Sequence, residues 1–407
     1  MSLRSRLSAV PRFYIDIAYL FVAEVLWVVG LYMYKGLLPV YINTYVRDPR
    51  IVSFIQSIGN VTGILAIVSG YLCKKVNVKW LLVLCWGVTV PAPLIFAFAT
   101  NTAGFIAGQF LFSLTAAFVP AVMLYIFEYD FPGNKLSVYL LYSMVSSCAS
   151  ILSPTLGGFT ATALGMRPTL LIAFALFAVG TLFTMFMSPA KKPPNRAEAV
   201  SVGEKKEPFN MKAHFSRYGN LYAWMVFLLL LPAIENISEP VLSLYLADMR
   251  GMTSAQIGYG YTAISLGAML ITLGVKRVSK TRTVLTVLAG LCTIHGLANI
   301  GLLGSGLKLL LGILLLRGAQ NSTLFFTLGK FTELAEGDNK GMFVAVFIAA
   351  RSLLSTLANN LGGVLYKVNA WLPFGTEIAA LGVWLAAFST FWHLSQRRKD
   401  AQTVSKP

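Results

Sequence analysis

The chain has 407 residues, of which 56% are hydrophobic and only 12% are charged. A composition this apolar excludes a soluble globular protein, so most of the chain is expected to lie in lipid. Because a spanning helix needs about 20 apolar residues, the length accommodates roughly a dozen crossings and no separate soluble catalytic domain. We attribute the formal charge of +17 to cytoplasmic loops and not to nucleic-acid binding.

Six apolar segments long enough to cross a membrane precede a polar central stretch, and six follow it. The first six are 13–45, 52–73, 80–100, 104–127, 136–163 and 168–188. The second six are 221–247, 255–275, 283–304, 307–330, 341–367 and 372–394. They are called spans 1 to 12 below. The expected organisation is an N-terminal six-helix bundle (1–188), a basic linker (189–219), a C-terminal six-helix bundle (220–394) and a tail (395–407).

The distribution of basic residues predicts the orientation of these spans. Of the 33 Lys and Arg residues, 24 lie in the termini, the linker and alternate loops on the same side, whereas six lie on the other side and three inside spans. Basic residues accumulate in cytoplasmic loops. The chain is therefore predicted to be a multi-pass protein of the cell (inner) membrane with both termini cytoplasmic, and a monomer is expected.

Cysteine and histidine usage gives no sign of a metal or redox site. The four cysteines lie in or beside apolar runs without CxxC spacing, which favours reduced, structural thiols. They are Cys73, Cys85, Cys148 and Cys292. The three histidines are far apart in sequence and have no ligand-type neighbour at helical spacing. We therefore expect no metal and no cofactor.

The two halves of the chain resemble each other at an offset of 202 to 205 residues. Lys74–Asn77 after span 2 matches Lys276–Ser279 after span 8, and Leu156–Gly158 in span 5 matches Leu361–Gly363 in span 11. Such self-similarity indicates duplication of a six-helix unit.

The loop after span 2 reads GYLCKKVNVK, and span 5 contains a proline followed by a glycine pair. With the six-plus-six arrangement and the linker, these two motifs resemble the major facilitator superfamily. The loop contains the predicted gating residues Gly70, Lys74 and Lys75, with Lys74 where the family carries an acidic residue. Span 5 reads ASILSPTLGG and is similar to a motif of the family's antiporters. Its gating and packing residues are Ser153, Pro154, Gly157 and Gly158. The resemblance implies an all-α fold of twelve transmembrane helices in two pseudo-symmetric six-helix bundles.

We single out six ionisable residues within the spans, where charge is costly and marks polar cavities or buried pairs. They are Glu24, Lys35, Glu235, Glu239, Arg317 and Arg351. The three acids are candidates for proton coupling, and the three bases are candidate partners in charge pairs. Glu24 and Lys35 share a helix face at about three turns' separation. A purely structural role as paired struts is the alternative for these residues.

In the superfamily that the chain resembles, helices 1, 4, 7 and 10 line the substrate cavity. The residues that this resemblance assigns to the cavity are Glu24, Trp27, Gln109, Glu235, Asn236, Glu239, Arg317, Gln320 and Asn321. Pro232 and Pro240 bracket the acids of span 7, and this spacing predicts a bend in that helix.

The leading interpretation is a secondary active transporter that moves a small molecule by alternating access, and not an enzyme. Protons are the expected coupling ion, and the span 5 motif and the intramembrane carboxylates favour export of a drug-like or metabolite substrate. Two alternatives stay open. One is a proton-coupled importer of a sugar, nucleoside or organic anion, with Arg317 and Arg351 as anion partners. The other is a transport-inactive membrane sensor.

Overall fold

The computed structural model describes residues 11–62, 76–115, 121–122, 125–127, 135–189, 211–279, 283–304, 306–334 and 340–404. Every regular element in these ranges is a helix. Spans 1 to 6 are formed, in order, by Arg12–Lys35 with Leu38–Val46, Pro49–Thr62, Val78–Gly87 with Pro91–Phe98, Thr102–Ser113, Lys135–Leu164 and Met166–Met185.

The second half also contains six spans. Spans 7 to 12 are formed, in order, by Met211–Glu235 with the 3-10 turn Glu239–Val241 and Leu242–Asp248, then Ser254–Val278, Val284–Gly304, Leu307–Arg317 with Ala319–Leu334, Lys340–Val368 and Leu372–Val404.

The helices have the length and composition that membrane crossing requires. Within the described part of the chain, nine helical segments are long and apolar enough to span a bilayer. The other three predicted spans coincide with the helices Pro49–Thr62, Thr102–Ser113 and Lys340–Val368. Large apolar side chains such as Met144, Phe325 and Val383 are more than 60% exposed, as expected for residues that face lipid. The all-α polytopic fold is confirmed.

Span 7 bends as its prolines predict. Its first helix ends at Glu235, and the amides of Asn236 and Ile237 bond three residues back instead of four. The carbonyl of Pro232 loses its helical donor, and the side-chain amide of Asn236 donates to it at 2.6 Å. The helix therefore opens without leaving this buried carbonyl unsatisfied.

The chain forms two compact units. The first comprises Met1–Arg47, Ile58–Phe209 and Gly251–Thr262. Within it, span 1 packs against spans 5 and 6, and span 6 packs against span 3. The second comprises Asp48–Ser57, Asn210–Arg250 and Ala263–Pro407. Within it, span 7 packs against spans 10, 11 and 12, and span 9 packs against spans 10 and 12. The expected bundle boundaries at 188 and 220 stay a prediction.

Glycines allow two pseudo-equivalent close approaches between the main chains of packed spans. In the first unit, a Cβ atom on Gly157 would lie 1.8 Å from the carbonyl oxygen of Met33, so spans 5 and 1 touch through their main chains. In the second unit, a Cβ atom on Gly362 would lie 1.7 Å from the carbonyl oxygen of Ile237 in span 7. The duplication seen in the sequence is thus also a duplication of helix contacts.

The next glycine of each pair makes a second close approach. A Cβ on Gly158 would meet the carbonyl oxygen of Ser254 at 2.7 Å, within the first unit. A Cβ on Gly363 would meet the side chain of Ser53 at 2.5 Å, within the second unit. Each Gly-Gly pair therefore packs its helix against two neighbours at once.

We expect Gly157→Ala and Gly362→Ala each to destabilise the protein, by about 1–3 kcal/mol, because the added methyl group meets a main-chain carbonyl that cannot turn away as a side chain would. Thermal unfolding of the purified protein in detergent measures this loss. The matched control is Gly382→Ala, since nothing lies within 4 Å of a Cβ at Gly382. A Gly157→Ala protein as stable as the control would contradict the close approach.

Asp48 ties the loop before span 2 to the end of span 11 within the second unit. Its Oδ2 atom accepts hydrogen bonds from the Arg50 guanidinium at 2.8 Å and from the Lys367 ammonium at 2.9 Å. The hydrogen bond from Arg50, reinforced by Lys367, holds the pKa of Asp48 well below its ordinary value despite an opposing effect of burial.

The lowered pKa of Asp48 predicts a pH-dependent contribution to stability. The ionised carboxylate stabilises the fold at neutral pH, and this contribution is lost as the pH falls below the unfolded value of about 3.9 towards the lowered folded pKa. Asp48→Asn should therefore lower the melting temperature at neutral pH, and its difference from wild type should shrink in acid. In a double-mutant cycle, Asp48→Asn and Lys367→Met should be coupled by about 0.2–1 kcal/mol. Strict additivity would show that the two side chains do not interact.

Candidate functional site

Glu24 is a buried carboxyl held by hydroxyl groups in the first unit. Its side chain is buried in span 1, with the residue only 6% exposed. The Tyr142 hydroxyl donates to Glu24 Oε2, and the Ser146 hydroxyl one turn farther along span 5 is a second hydrogen-bond partner. No described basic side chain forms an ion pair with it. A carboxylate at this position would thus have hydrogen bonds but no counter-charge.

The structural alternative, a pair between Glu24 and Lys35, does not form. Eleven residues of helix separate the two side chains by about 16 Å along the helix axis, although they share a face. The Lys35 ammonium instead lies over the Tyr32 ring, 5.3 Å from its centroid, and Lys35 is exposed.

The side chains of Trp27 and Gln109 are engaged in contacts within and between helices of the first unit. The Trp27 indole donates to Thr89 at 3.3 Å and stacks on Phe177, with ring centroids 5.7 Å apart. Gln109 is buried, and its amide bonds the Ser113 hydroxyl on its own helix at 3.5 Å. The indole therefore connects spans 1, 3 and 6, and the Gln109 amide is engaged within span 4.

Arg317 is the centre of a buried polar cluster in the second unit. It ends the first helix of span 10 and is 1% exposed. Its guanidinium donates to the Asn299 side chain and, at 2.6 Å, to the Ser238 hydroxyl in the break of span 7. Its positive face also lies 5.7 Å from the centroid of the Phe374 ring. The guanidinium therefore links spans 7, 9, 10 and 12.

Glu377 of span 12 and His295 of span 9 complete this cluster, and both are fully buried. His295 Nε2 contacts Glu377 Oε1, and Glu377 Oε2 accepts a hydrogen bond from Ser238. Neither residue was among the predicted site residues. Glu377 is an acidic residue inside the predicted span 372–394, so the criterion that identified the other six ionisable residues also applies to it.

The two acids of span 7 occupy different surroundings because the helix breaks between them. Glu235 is fully buried, accepts a hydrogen bond from Thr323 at 3.0 Å through Oε1, and has no partner for Oε2 among the described residues. The Glu239 side chain is 40% exposed, with its Oε2 3.9 Å from the Arg317 guanidinium. Glu235 and Glu239 therefore do not share a helix face as expected. The Glu235 carboxyl lies in the interior, whereas the Glu239 carboxyl lies at the partly exposed rim of the cluster.

A polar strip on the second unit contains Asn236. The amide of Gln320 donates to Asn236 Oδ1 at 3.4 Å, and the amide of Asn236 donates to Ser355 at 3.4 Å. Arg351 lies one helical turn before Ser355, is half-buried, and forms no ion pair with a described acidic residue. Asn321 is exposed and lies outside this strip.

The span 5 motif packs span 5 against its neighbours within the first unit. The Ser153 hydroxyl donates to the carbonyl oxygen of Ala149, and a Cβ on Gly258 would meet the Pro154 carbonyl at 2.4 Å. Gly157 and Gly158 make the close approaches described above. The predicted gating residues Gly70, Lys74 and Lys75 lie outside the described residues. Over the described part of the chain, no three His, Cys, Asp or Glu side chains are grouped as metal ligands.

The Arg317 charge predicts a large effect of its removal. We expect Arg317→Met to destabilise the second unit by about 3–5 kcal/mol, because buried carboxylates lose their cation. Thermal unfolding measures the loss, and Arg351→Met, which removes an arginine that has no ion pair with a described residue, is the matched control. The double variant Arg317→Met/Glu377→Gln should recover part of the stability. Equal stability of the two single variants would contradict the central role of Arg317.

Comparison with known proteins identifies the family and fold. The sequence model of the Major Facilitator Superfamily matches residues 20–358. A point mutant of the nucleoside transporter NupG is similar in structure, with a TM-score of 0.75 at 15% identity, over 92% of this chain and 99% of that one. A bacterial homologue of the iron transporter ferroportin, in its inward-facing state, has a TM-score of 0.71 at 12% identity, over 94% and 99% of the two chains.

A third structure is a POT family transporter in complex with 5-aminolevulinic acid, with a TM-score of 0.68 at 13% identity, over 94% and 96% of the two chains. No curated protein matches the chain. At these identities the structural likeness concerns the fold alone.

Proposed function

Because the chain belongs to the Major Facilitator Superfamily and is a membrane transporter and not an enzyme, we propose that it is a proton-coupled secondary transporter working by alternating access. The observation that carries this proposal is Glu24, a buried carboxyl with hydroxyl partners and no cation among the described residues. Ionising such a group leaves an uncompensated charge, so Glu24 exchanges its proton as its surroundings change. Glu235 and Glu239 are the corresponding acids of the second unit.

Export of a drug-like or metabolite substrate is the proposed direction. Its support is the resemblance of span 5 to an antiporter motif and the presence of carboxyls whose ionised forms attract cations. In such an exchange, a cationic substrate replaces the proton that compensates the carboxylate. The proposed location is the cell (inner) membrane, with cytoplasmic termini and a monomeric carrier.

A specific observation favours a second candidate, proton-coupled import of a nucleoside or organic anion. Arg351 is half-buried one helical turn before Ser355, the side chain that Asn236 contacts, and it has no ion pair with a described residue, which suits recognition of a carboxylate or phosphate. The structurally similar NupG is a nucleoside transporter. Arg317, in contrast, is already engaged by Asn299 and Ser238.

Reconstituted liposomes test both candidates with three probes, namely ethidium, uridine and succinate. Ethidium is permanently charged, so it does not accumulate as a weak base. In acid-inside liposomes an antiporter takes up its substrate in exchange for departing protons, whereas a symporter requires acid outside. We expect ethidium uptake with acid inside. Uptake of uridine or succinate with acid outside would establish the second candidate instead. Uptake at the same rate with and without a pH gradient would reject proton coupling.

The variant Glu24→Gln tests whether Glu24 carries the coupled proton while leaving the shape of its side chain unchanged. The amide keeps the shape and hydrogen-bonding capacity of the carboxyl but cannot titrate, so pH-driven uptake should fall to the level of protein-free liposomes. Exchange of internal for external substrate without a gradient should persist, because it needs only the loaded carrier.

The control for Glu24→Gln is Lys35→Met, which should leave pH-driven uptake unchanged, since Lys35 does not pair with Glu24. Both variants should retain the wild-type melting temperature in detergent. Undiminished pH-driven uptake by Glu24→Gln would exclude Glu24 as the proton carrier.

A further inference from the structure

We infer that His295 and Glu377 form a second proton-binding site, in the second unit, and that Ser238 connects this site to the break in span 7. The inference rests on the proposed proton coupling and assigns it residues beyond Glu24, Glu235 and Glu239. Its basis is the geometry of the buried cluster, its unpartnered polar atoms and its charge balance.

The geometry is a continuous hydrogen-bonded chain across four spans. Glu377 is contacted through one carboxyl oxygen by His295 and through the other by Ser238, which in turn accepts from Arg317 at 2.6 Å. His295 and Glu377 are fully buried. A change in the charge of Glu377 therefore alters the electrostatic potential at Ser238 and Arg317.

Several polar atoms around this chain have no hydrogen-bond partner among the described residues. They are Glu235 Oε2, His295 Nδ1, Asn299 Nδ2 and Arg317 Nε. His295 can gain or lose a proton at Nδ1 without breaking a hydrogen bond that the structure contains. Glu235 Oε2 can likewise hold or release a proton. The cluster thus has two unpartnered atoms that can bind a proton, one on His295 and one on Glu235.

The titratable and charged groups around the pair limit how many protons the cluster holds. They are Glu235 and Glu239 on span 7, Cys292 on span 9 and Arg317 on span 10. Arg317 is permanently cationic, Cys292 is a neutral thiol, and Glu239 is sufficiently exposed to stay hydrated. The buried set of Arg317, His295, Glu377 and Glu235 is then electrically neutral with one proton shared among its titratable members.

Departure of that one proton leaves a net negative charge inside the unit, and a second proton leaves a net positive one. Both states are costly in a site as deeply buried as this one. The cluster therefore releases its proton when a cation or water reaches it, which is the condition for coupled exchange. Ser238 lies in the non-helical segment after Glu235, so the charge state of Glu377 acts on the part of span 7 with the fewest helical hydrogen bonds.

The test uses the purified full-length protein in detergent. Infrared difference spectra between acidic and neutral buffer detect protonated buried carboxyls, and nitrogen NMR of labelled histidine follows His295. In the wild type we expect a buried carboxyl and His295 to titrate together. His295→Gln should shift the carboxyl titration by about one pH unit or more, since strongly interacting groups titrate as a pair. Glu377→Gln should remove or shift that titration and change the response of His295.

His393→Gln, at an exposed histidine of span 12, is the matched control and should leave the carboxyl titration unchanged. If a single variant fails to fold, the double variant His295→Gln/Glu377→Gln keeps a hydrogen-bonding pair and should lack the coupled titration. Carboxyl titration identical to wild type in the variants that fold would overturn the inference and make the pair a permanent strut.

Glu24→Gln separates the inference from the proposed function. It should retain the cluster titration even where it loses pH-driven ethidium uptake. Loss of the cluster titration in Glu24→Gln would overturn the inference, because the titrating group would then lie in the first unit. Retained pH-driven uptake in Glu24→Gln would count against the assigned role of Glu24 and not against the cluster.

Discussion

The structure of the second unit depends on compensation of one buried positive charge. The Arg317 guanidinium is almost inaccessible to solvent and cannot lose its proton, so the surrounding helices must supply acceptors and negative charge. Asn299 and Ser238 accept its hydrogen bonds, and Glu377 lies behind Ser238. This requirement fixes the facing surfaces of spans 7, 9, 10 and 12. The break in span 7 lies beside the arginine. There the Ser238 hydroxyl forms hydrogen bonds with side chains of other helices, namely Arg317 and Glu377.

Backbone contact between helices is the second constraint, and it is shared by both units. Gly157 and Gly362 let spans 5 and 11 touch the main chains of spans 1 and 7. The contacts are pseudo-equivalent, whereas the buried charges are not. Among the described residues, Glu24 in the first unit has hydroxyl partners and no cation, whereas in the second unit Glu239 lies 3.9 Å from Arg317 and Glu377 is linked to it through Ser238. A duplicated scaffold thus carries two electrostatically different polar clusters, as expected if the copies diverged in chemistry while their packing was retained.

Part of the candidate site was predictable from sequence, because an ionisable residue inside an apolar span stands out in a linear pattern. Glu24, Glu235 and Arg317 were found in this way, and the structure buries all three. The pairing of these residues was not predictable. Lys35 shares a helix face with Glu24, yet the axial distance is too long for an ion pair. His295 and Glu377 are 82 residues apart in sequence and become neighbours only where spans 9 and 12 pack together.

The sequence by itself determined the membrane class, the number of crossings, the duplication and the bend of span 7, because these follow from local composition, periodicity and proline geometry. It also identified the family through short motifs in fixed places. The tertiary structure alone decided which buried charges meet, that Glu235 faces the interior while Glu239 lies at the rim, and that Asn321 is outside the polar strip. The physical reason is that charge compensation depends on distances between helices. Such distances are fixed by side-chain and backbone packing, which no pattern along one span records.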